Sequence, residues 1–186
     1  MKTTMKIFAA ITIMFACTLA ASAQKTDNAN ISGKAEVLQG IDVTGKIDLD
    51  FGRVSPGLAK TIDLNNVATG GQVGEGTQTT GVFTVSASAG SNVQIQFTTL
   101  PAGLKNANND NLPIGAYTAG YGTDIPFAGD TFDPGTGTQV TSGNFPTNVI
   151  DSKNAIYVYI GGTVTPGPSQ AIGNYTSNIT LTATYN

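Results

Sequence analysis

The chain of 186 residues carries 23 Gly and 8 Pro, too many backbone breakers for a protein built of long helices. Its 9 Lys plus Arg against 12 Asp plus Glu give a net charge of −3, and the absence of His removes imidazole bases, Ser-His-Asp or Cys-His systems and His-containing zinc sites. So sparse and acidic a charge set also lacks the basic stripe that a phosphate backbone demands, so no nucleic-acid partner is expected.

In chain order, the first predicted element is a targeting segment. Lys2 and Lys6 form a basic start, Ile7 to Leu19 is a mostly apolar run, and Ala21-Ser22-Ala23 is a small-x-small site that puts cleavage between Ala23 and Gln24. The run is shorter than the ~20 residues of a spanning helix, so no membrane span is expected in the mature chain. Cys17 raises the alternative of a lipidated cysteine, but Met14-Phe15-Ala16 poorly matches the small and leucine-rich residues expected before one. Export to the periplasm, outer surface or medium is the expectation. Loss of residues 1–23 removes Lys2, Lys6 and Cys17, leaving 7 basic against 12 acidic residues, a charge of −5, and no disulfide.

Residues 24–30 form a short tail, and Ile31, Gly33, Ala35 and Val37 alternate weakly with polar neighbours. Ile47, Leu49 and Phe51 alternate with Asp48 and Asp50 up to Gly52, and Ile62 with Leu64 marks a shorter strand. Ala68 to Thr80 is Gly-rich and polar, which suits a surface loop. Phe83, Val85 and Ala87, then Val93, Ile95 and Phe97, alternate with polar residues on either side of Ala89-Gly90-Ser91 and read as a hairpin. Leu100 to Asn154 is rich in Pro, Gly, Asn and Asp and reads as a long loop-rich insertion, with short strands near Leu112 to Tyr117 and Gln139 to Thr141. Ala155 to Ile160 is apolar or aromatic throughout, as in a central strand covered on both faces. Tyr175, Ser177, Ile179, Leu181, Ala183 and Tyr185 alternate with Asn and Thr at the end. No mature segment carries a helical stripe. The pattern predicts an all-β protein, a single immunoglobulin-like antiparallel Greek-key β-sandwich over residues 31–186, with 100–154 as its loop-rich insertion.

Asp48-Leu49-Asp50-Phe51-Gly52 followed by Ser55-Pro56-Gly57, then Phe83-Thr84-Val85-Ser86, then Gly173-Asn174-Tyr175 leading into Ile179 to Tyr185, resemble the bacterial secreted family called domain of unknown function 4402. The same landmarks are similar to those of the spore coat protein U domain, which includes subunits of archaic chaperone-usher pili. The resemblance covers about residues 30–186 and implies an exported β-sandwich without known catalytic residues. Its pilus side implies donor-strand exchange, in which one subunit's N-terminal strand completes the sheet of the next. Here Ile31, Gly33, Ala35 and Val37 would be that strand, or else an ordinary first strand of their own domain. The stretch Gly40 to Thr44 lacks the cysteine usual in the pilus pattern.

Other candidates have weaker chemistry. Asn106 to Asn111 with Asp124, Asp130 and Asp133 offer oxygen ligands for calcium, but Asn and Asp are also common turn residues. Tyr117, Tyr121, Phe127, Phe132 and Phe145 lie in the irregular region, where they would bind a glycan by stacking or pin the loops to the core. Asp48 and Asp50 share one strand face as carboxylates would for acid-base work, yet a solvated face explains them. Asn-x-Ser/Thr triplets at Asn30, Asn174 and Asn178 arise readily in so Thr-rich a chain. No enzyme activity and no cofactor is expected. The expected role is structural or surface-interacting, with copies of itself or other surface subunits as partners; the alternative is a stand-alone module binding a glycan or other extracellular ligand through residues 100–154.

Overall fold

The computed structural model describes residues 32–71, 76–141, 149–150 and 153–186. Ala21, Ala23, Gln24, Ile31 and Phe145 lie outside them. Residues 32–36 belong to a separate N-terminal unit and have no regular structure; Val37–Asn186 is the compact unit. Among the described residues there are twelve strands and no helix: β1 (Asp42–Ile47), β2 (Lys60–Ile62), β3 (Ala68–Gly70), β4 (Gly81–Ser86), β5 (Val93–Thr99), β6 (Gly103–Lys105), β7 (Asn111–Gly122), β8 (Gly129–Phe132), β9 (Thr138–Val140), β10 (Val149–Ile150), β11 (Lys153–Val164) and β12 (Thr180–Tyr185).

The strands form two antiparallel sheets and no closed barrel. The larger is built on β11. One edge of β11 pairs with β4 through Ala155–Ile160 and with β2 through Gly162–Val164, while the other pairs with β7 from Tyr157 to Val164. β1 then flanks β4, β3 flanks β2, and β6 and β8 flank β7. The smaller sheet has the order β12-β5-β9.

Successive side chains of a strand point to opposite faces, and β11 uses both. Ile156, Val158 and Ile160 enter the main core with Val85, Val93, Ile95, Phe97, Val140 and Leu181, so this core draws on both sheets. Tyr159 points the other way and packs with Leu64, Val82 and Phe127. The central strand expected at Ala155 to Ile160 is therefore present, and longer than the apolar run.

Two expectations need correction. β4 and β5 do not form a hairpin: they lie in different sheets, and Ala87 to Asn92 carries the chain across. Both edges of β4 are taken by β1 and β11, so β5 has no edge there to join. Alternation fixes which side of a strand meets the core, and facing layers share that pattern, so it does not choose the partner. Residues 100–154 are likewise not chiefly loop, since β6 to β10 and the start of β11 fall within them. β7 spans 12 residues although it holds Pro113 and three glycines, because pairing with β6, β8 and β11 overrides its poor local propensity.

Burial pushes the Tyr117 phenol up to about 12. Burial first, then the Tyr157 and Asp124 charges, push Tyr159 up to about 12 as well. Their hydroxyls donate to the carbonyls of Pro101 and Asp124. An unfolded tyrosine releases its proton near pH 10, so the unfolded state binds fewer protons above that value and stability falls as pH rises. The contribution is complete below pH 10 and is lost as pH rises through 12. Two of the 6 tyrosines should therefore titrate late by absorbance, with urea midpoints falling between pH 10 and 12 and falling less in Tyr159→Phe. Midpoints flat across that window would contradict this.

Candidate functional site

The continuation of β1 and the approach to β12 flank a cleft of about 490 Å³, lined by Leu49 to Pro56 on one side and Gln170 to Tyr175 on the other, with Leu104, Leu112 and Pro166. Its floor is apolar. Phe51 is 5% exposed and packs with Leu112, and Leu49, Val54, Leu104 and Tyr175 pack against them.

The walls lie outside any strand, one turning at Gly52 with φ 62° and the other bending at Gly173. Among the described residues β1 pairs only with β4, and β12 only with β5, so each wall prolongs an edge strand of a different sheet. The two run in opposite directions. Asp42 at the start of β1 is opposite Ser86, and the Tyr185 hydroxyl near the end of β12 accepts the Ser88 N–H at 2.9 Å.

Local hydrogen bonds set each wall. Asp50 bridges to Thr79, and its Oδ1 accepts the Gly52 N–H at 2.7 Å. Across the cleft, Gln170 Nε2 donates to the Tyr175 hydroxyl at 2.8 Å, and that hydroxyl donates to the Ala171 carbonyl at 2.7 Å. The Gly57 N–H bonds to the carbonyls of Pro166 and Gly167 and brings the two walls together at one end. Ile172 stands on the rim, 99% exposed. An apolar floor between two walls suits an extended peptide, whose side chains would fill the floor. No group of three or more His, Cys, Asp or Glu side chains gathers among the described residues, and none of their helices crosses a membrane, there being none.

The sequence-predicted residues are distributed differently. Gly33, Ala35 and Val37 lie in no strand, and Val37 is 95% exposed. Tyr117 and Tyr121 lie on β7 and pack at the main core, Phe132 on β8 stacks on Phe97, and Phe127 packs edge-on to Tyr159. These four aromatics fill the core and pin the β7–β8 connection instead of forming one surface. Asn106 Oδ1 accepts the N–H groups of Asn108 and Asp110, and Asp133 Oδ1 accepts that of Gly135, both turn bonds.

Sequence reasoning missed the cleft itself. The Leu49 to Gly57 stretch and the Gly173-Asn174-Tyr175 landmark were visible separately, but only the topology brings them face to face. Compared with protein-family models, curated proteins and solved structures, the chain matches none.

A fixed floor and an expendable rim give different costs on substitution. Phe51→Ala should lose about 3–5 kcal/mol, the usual cost of emptying a buried aromatic site. Ile172→Ser should stay within about 0.5 kcal/mol of the parent. Urea denaturation checks both, and equal effects would mean that the floor is not packed as described.

Proposed function

We propose that this chain is a non-enzymatic, exported structural subunit of a bacterial surface assembly, an immunoglobulin-like Greek-key sandwich whose cleft accepts an extended strand from a second copy. The observation that carries this reading is the apolar-floored cleft between the continuations of two edge strands that belong to different sheets. A strand laid there buries alternate side chains against Leu49, Phe51, Leu112 and Tyr175. The resemblance to the secreted and pilus-type families supports the same reading.

The occupant is the N-terminal stretch carrying Ile31, Gly33, Ala35 and Val37. Val37 is 95% and Leu38 45% exposed, so this stretch has apolar side chains to bury. Between Gln24 and Leu38, Lys25 and Lys34 balance Asp27 and Glu36, so it meets no net repulsion from an acidic neighbour. The alternative of a glycan-binding module has its described aromatics committed to packing.

Burying an aliphatic side chain is worth about 1.5–3 kcal/mol, or roughly ten- to a hundredfold in an association constant. The mature protein should form oligomers by light scattering, and Val37→Asp or Ala35→Asp should weaken them at least about tenfold with the circular dichroism unchanged. A mature chain that stays monomeric at every concentration, or oligomers indifferent to both substitutions, would overturn the proposal.

A further inference from the structure

Lys60 is fully buried, 0% exposed, whereas Lys34, Lys46, Arg53 and Lys105 are exposed. Lysine usually keeps its head in water by running its stem along apolar surface. Here the head stays inside. Lys60 is the first residue of the three-residue strand β2, whose two ends are buried, and its Nζ donates to the Arg53 carbonyl at 3.1 Å.

The chain around it is shaped to admit it. A Cβ on Gly71, which has φ +59°, would lie 3.1–3.3 Å from the Cβ, Cγ and Cδ of Lys60, so a glycine backbone covers the stem. A Cβ on Gly52, at φ +62°, would lie 3.5 Å from Nζ, which places the head directly beneath the Gly52–Arg53 backbone. Gly52, Arg53 and Val54 line the cleft.

We infer that Lys60 is a positioning residue of the cleft, whose buried amino group holds the Arg53 carbonyl inward and fixes the wall from Gly52 to Val54. A buried amino group is costly unless bonded, and an apolar side chain of similar length fills the same space without that cost. What an apolar residue cannot supply is the bond to Arg53. That bond draws the Arg53 carbonyl toward β2 and fixes the chain where it leaves the left-handed turn at Gly52, on a stretch that belongs to no strand. Lys60 itself touches no occupant, because it lies behind the wall. Its effect on strand uptake rests on the function proposed above; its hold on the wall does not.

The test uses the mature full-length chain with Lys60→Met, which keeps length without donors, and Lys60→Gln, which keeps a donor on a shorter stem. Hydrogen exchange followed by mass spectrometry should show the Asp50 to Ser55 amides exchanging at least about tenfold faster in Lys60→Met, with β4 and β11 within about twofold of the parent. Lys60→Gln should fall between. Self-association by light scattering should weaken about tenfold in Lys60→Met if the cleft takes a strand. Unchanged exchange at residues 50–55, uniform acceleration through every strand, or failure of both variants to fold would each overturn the assignment, the last two by making Lys60 a general core residue. A parent that never associates refutes the proposed function alone. Oligomers unaffected by Lys60→Met, with exchange changed, limit the residue to holding the wall and refute its part in uptake.

Discussion

The pairing of β11 on both edges is the constraint on which the rest depends. A buried backbone amide or carbonyl without a partner costs more than a made hydrogen bond gains, so a strand in the middle of a protein must find neighbours along its whole length. β11 does so by changing partner on one edge, from β4 to β2, while β7 runs along the other. At the changeover stand Gly161 and Gly162. A Cβ on Gly161 would lie 2.4 Å from the Ile62 carbonyl oxygen, so the arriving β2 chain approaches more closely than any side chain permits. Once β11 is placed, β4 brings β1, β2 brings β3, and β7 brings β6 and β8.

The two flanks between the sheets are closed by different means. On one side the chain passes directly from β8 to β9 through a turn in which the Gly137 N–H bonds to Asp133, Gln96 Nε2 to Gly135, and Phe132 stacks on Phe97. On the other side β1 and β12 belong to different sheets with no ladder between them. One end there is tied by a three-residue clamp: the Gln39 N–H donates to Ser88 Oγ, the Ser88 N–H to the Tyr185 hydroxyl, and that hydroxyl to the Gln39 carbonyl. The far end is tied where Gly57 meets Pro166 and Gly167. The cleft belongs to this second flank, where Asp50 bridges to Thr79 and Thr176 to Lys105 but no ladder joins the two walls to each other.

The parts of this architecture visible in the sequence are those set by burial on a two-residue period. Val93, Ile95 and Phe97, or Ile156, Val158 and Ile160, declare themselves because every second residue meets the core. Partner choice leaves no such trace, which is why β4 and β5 look like a hairpin and are not one. β7 is legible only in part, as the short strand expected near Leu112 to Tyr117: Pro113, Gly115, Gly120 and Gly122 lower its local propensity, and its full length to Gly122 is imposed by neighbours distant in sequence. The cleft draws on residues near 50, 110 and 175, so no window of sequence contains it. Lys60 is harder still, since a single lysine between Ala59 and Thr61 carries nothing to say that its head faces inward.

Register explains why the edges separate where they do. The β1–β4 ladder slips by one residue at Lys46, the β5–β12 ladder at Thr98, and the β7–β11 ladder at Gly115. An extra residue on one strand sharpens the local twist and bends it away from its former line. The slip in β1 falls at the end that leads into its cleft wall, the slip in β5 lies opposite the start of β12, which the other wall leads into, and the third lies next to Ile114, which packs on the cleft floor. Lys46, the residue at the slip in β1, reaches back across β4 and places its Nζ 5.0 Å from the centre of the Tyr157 ring on β11, so its charge lies over the sheet face and not on the outer edge of β1. β12 offers only Thr, Leu, Ala and Tyr. The two sides of the cleft therefore differ in composition: Leu49, Phe51 and Val54 beyond β1 supply most of its apolar floor, whereas Gln170, Asn174 and Tyr175 before β12 set polar groups beside a single ring.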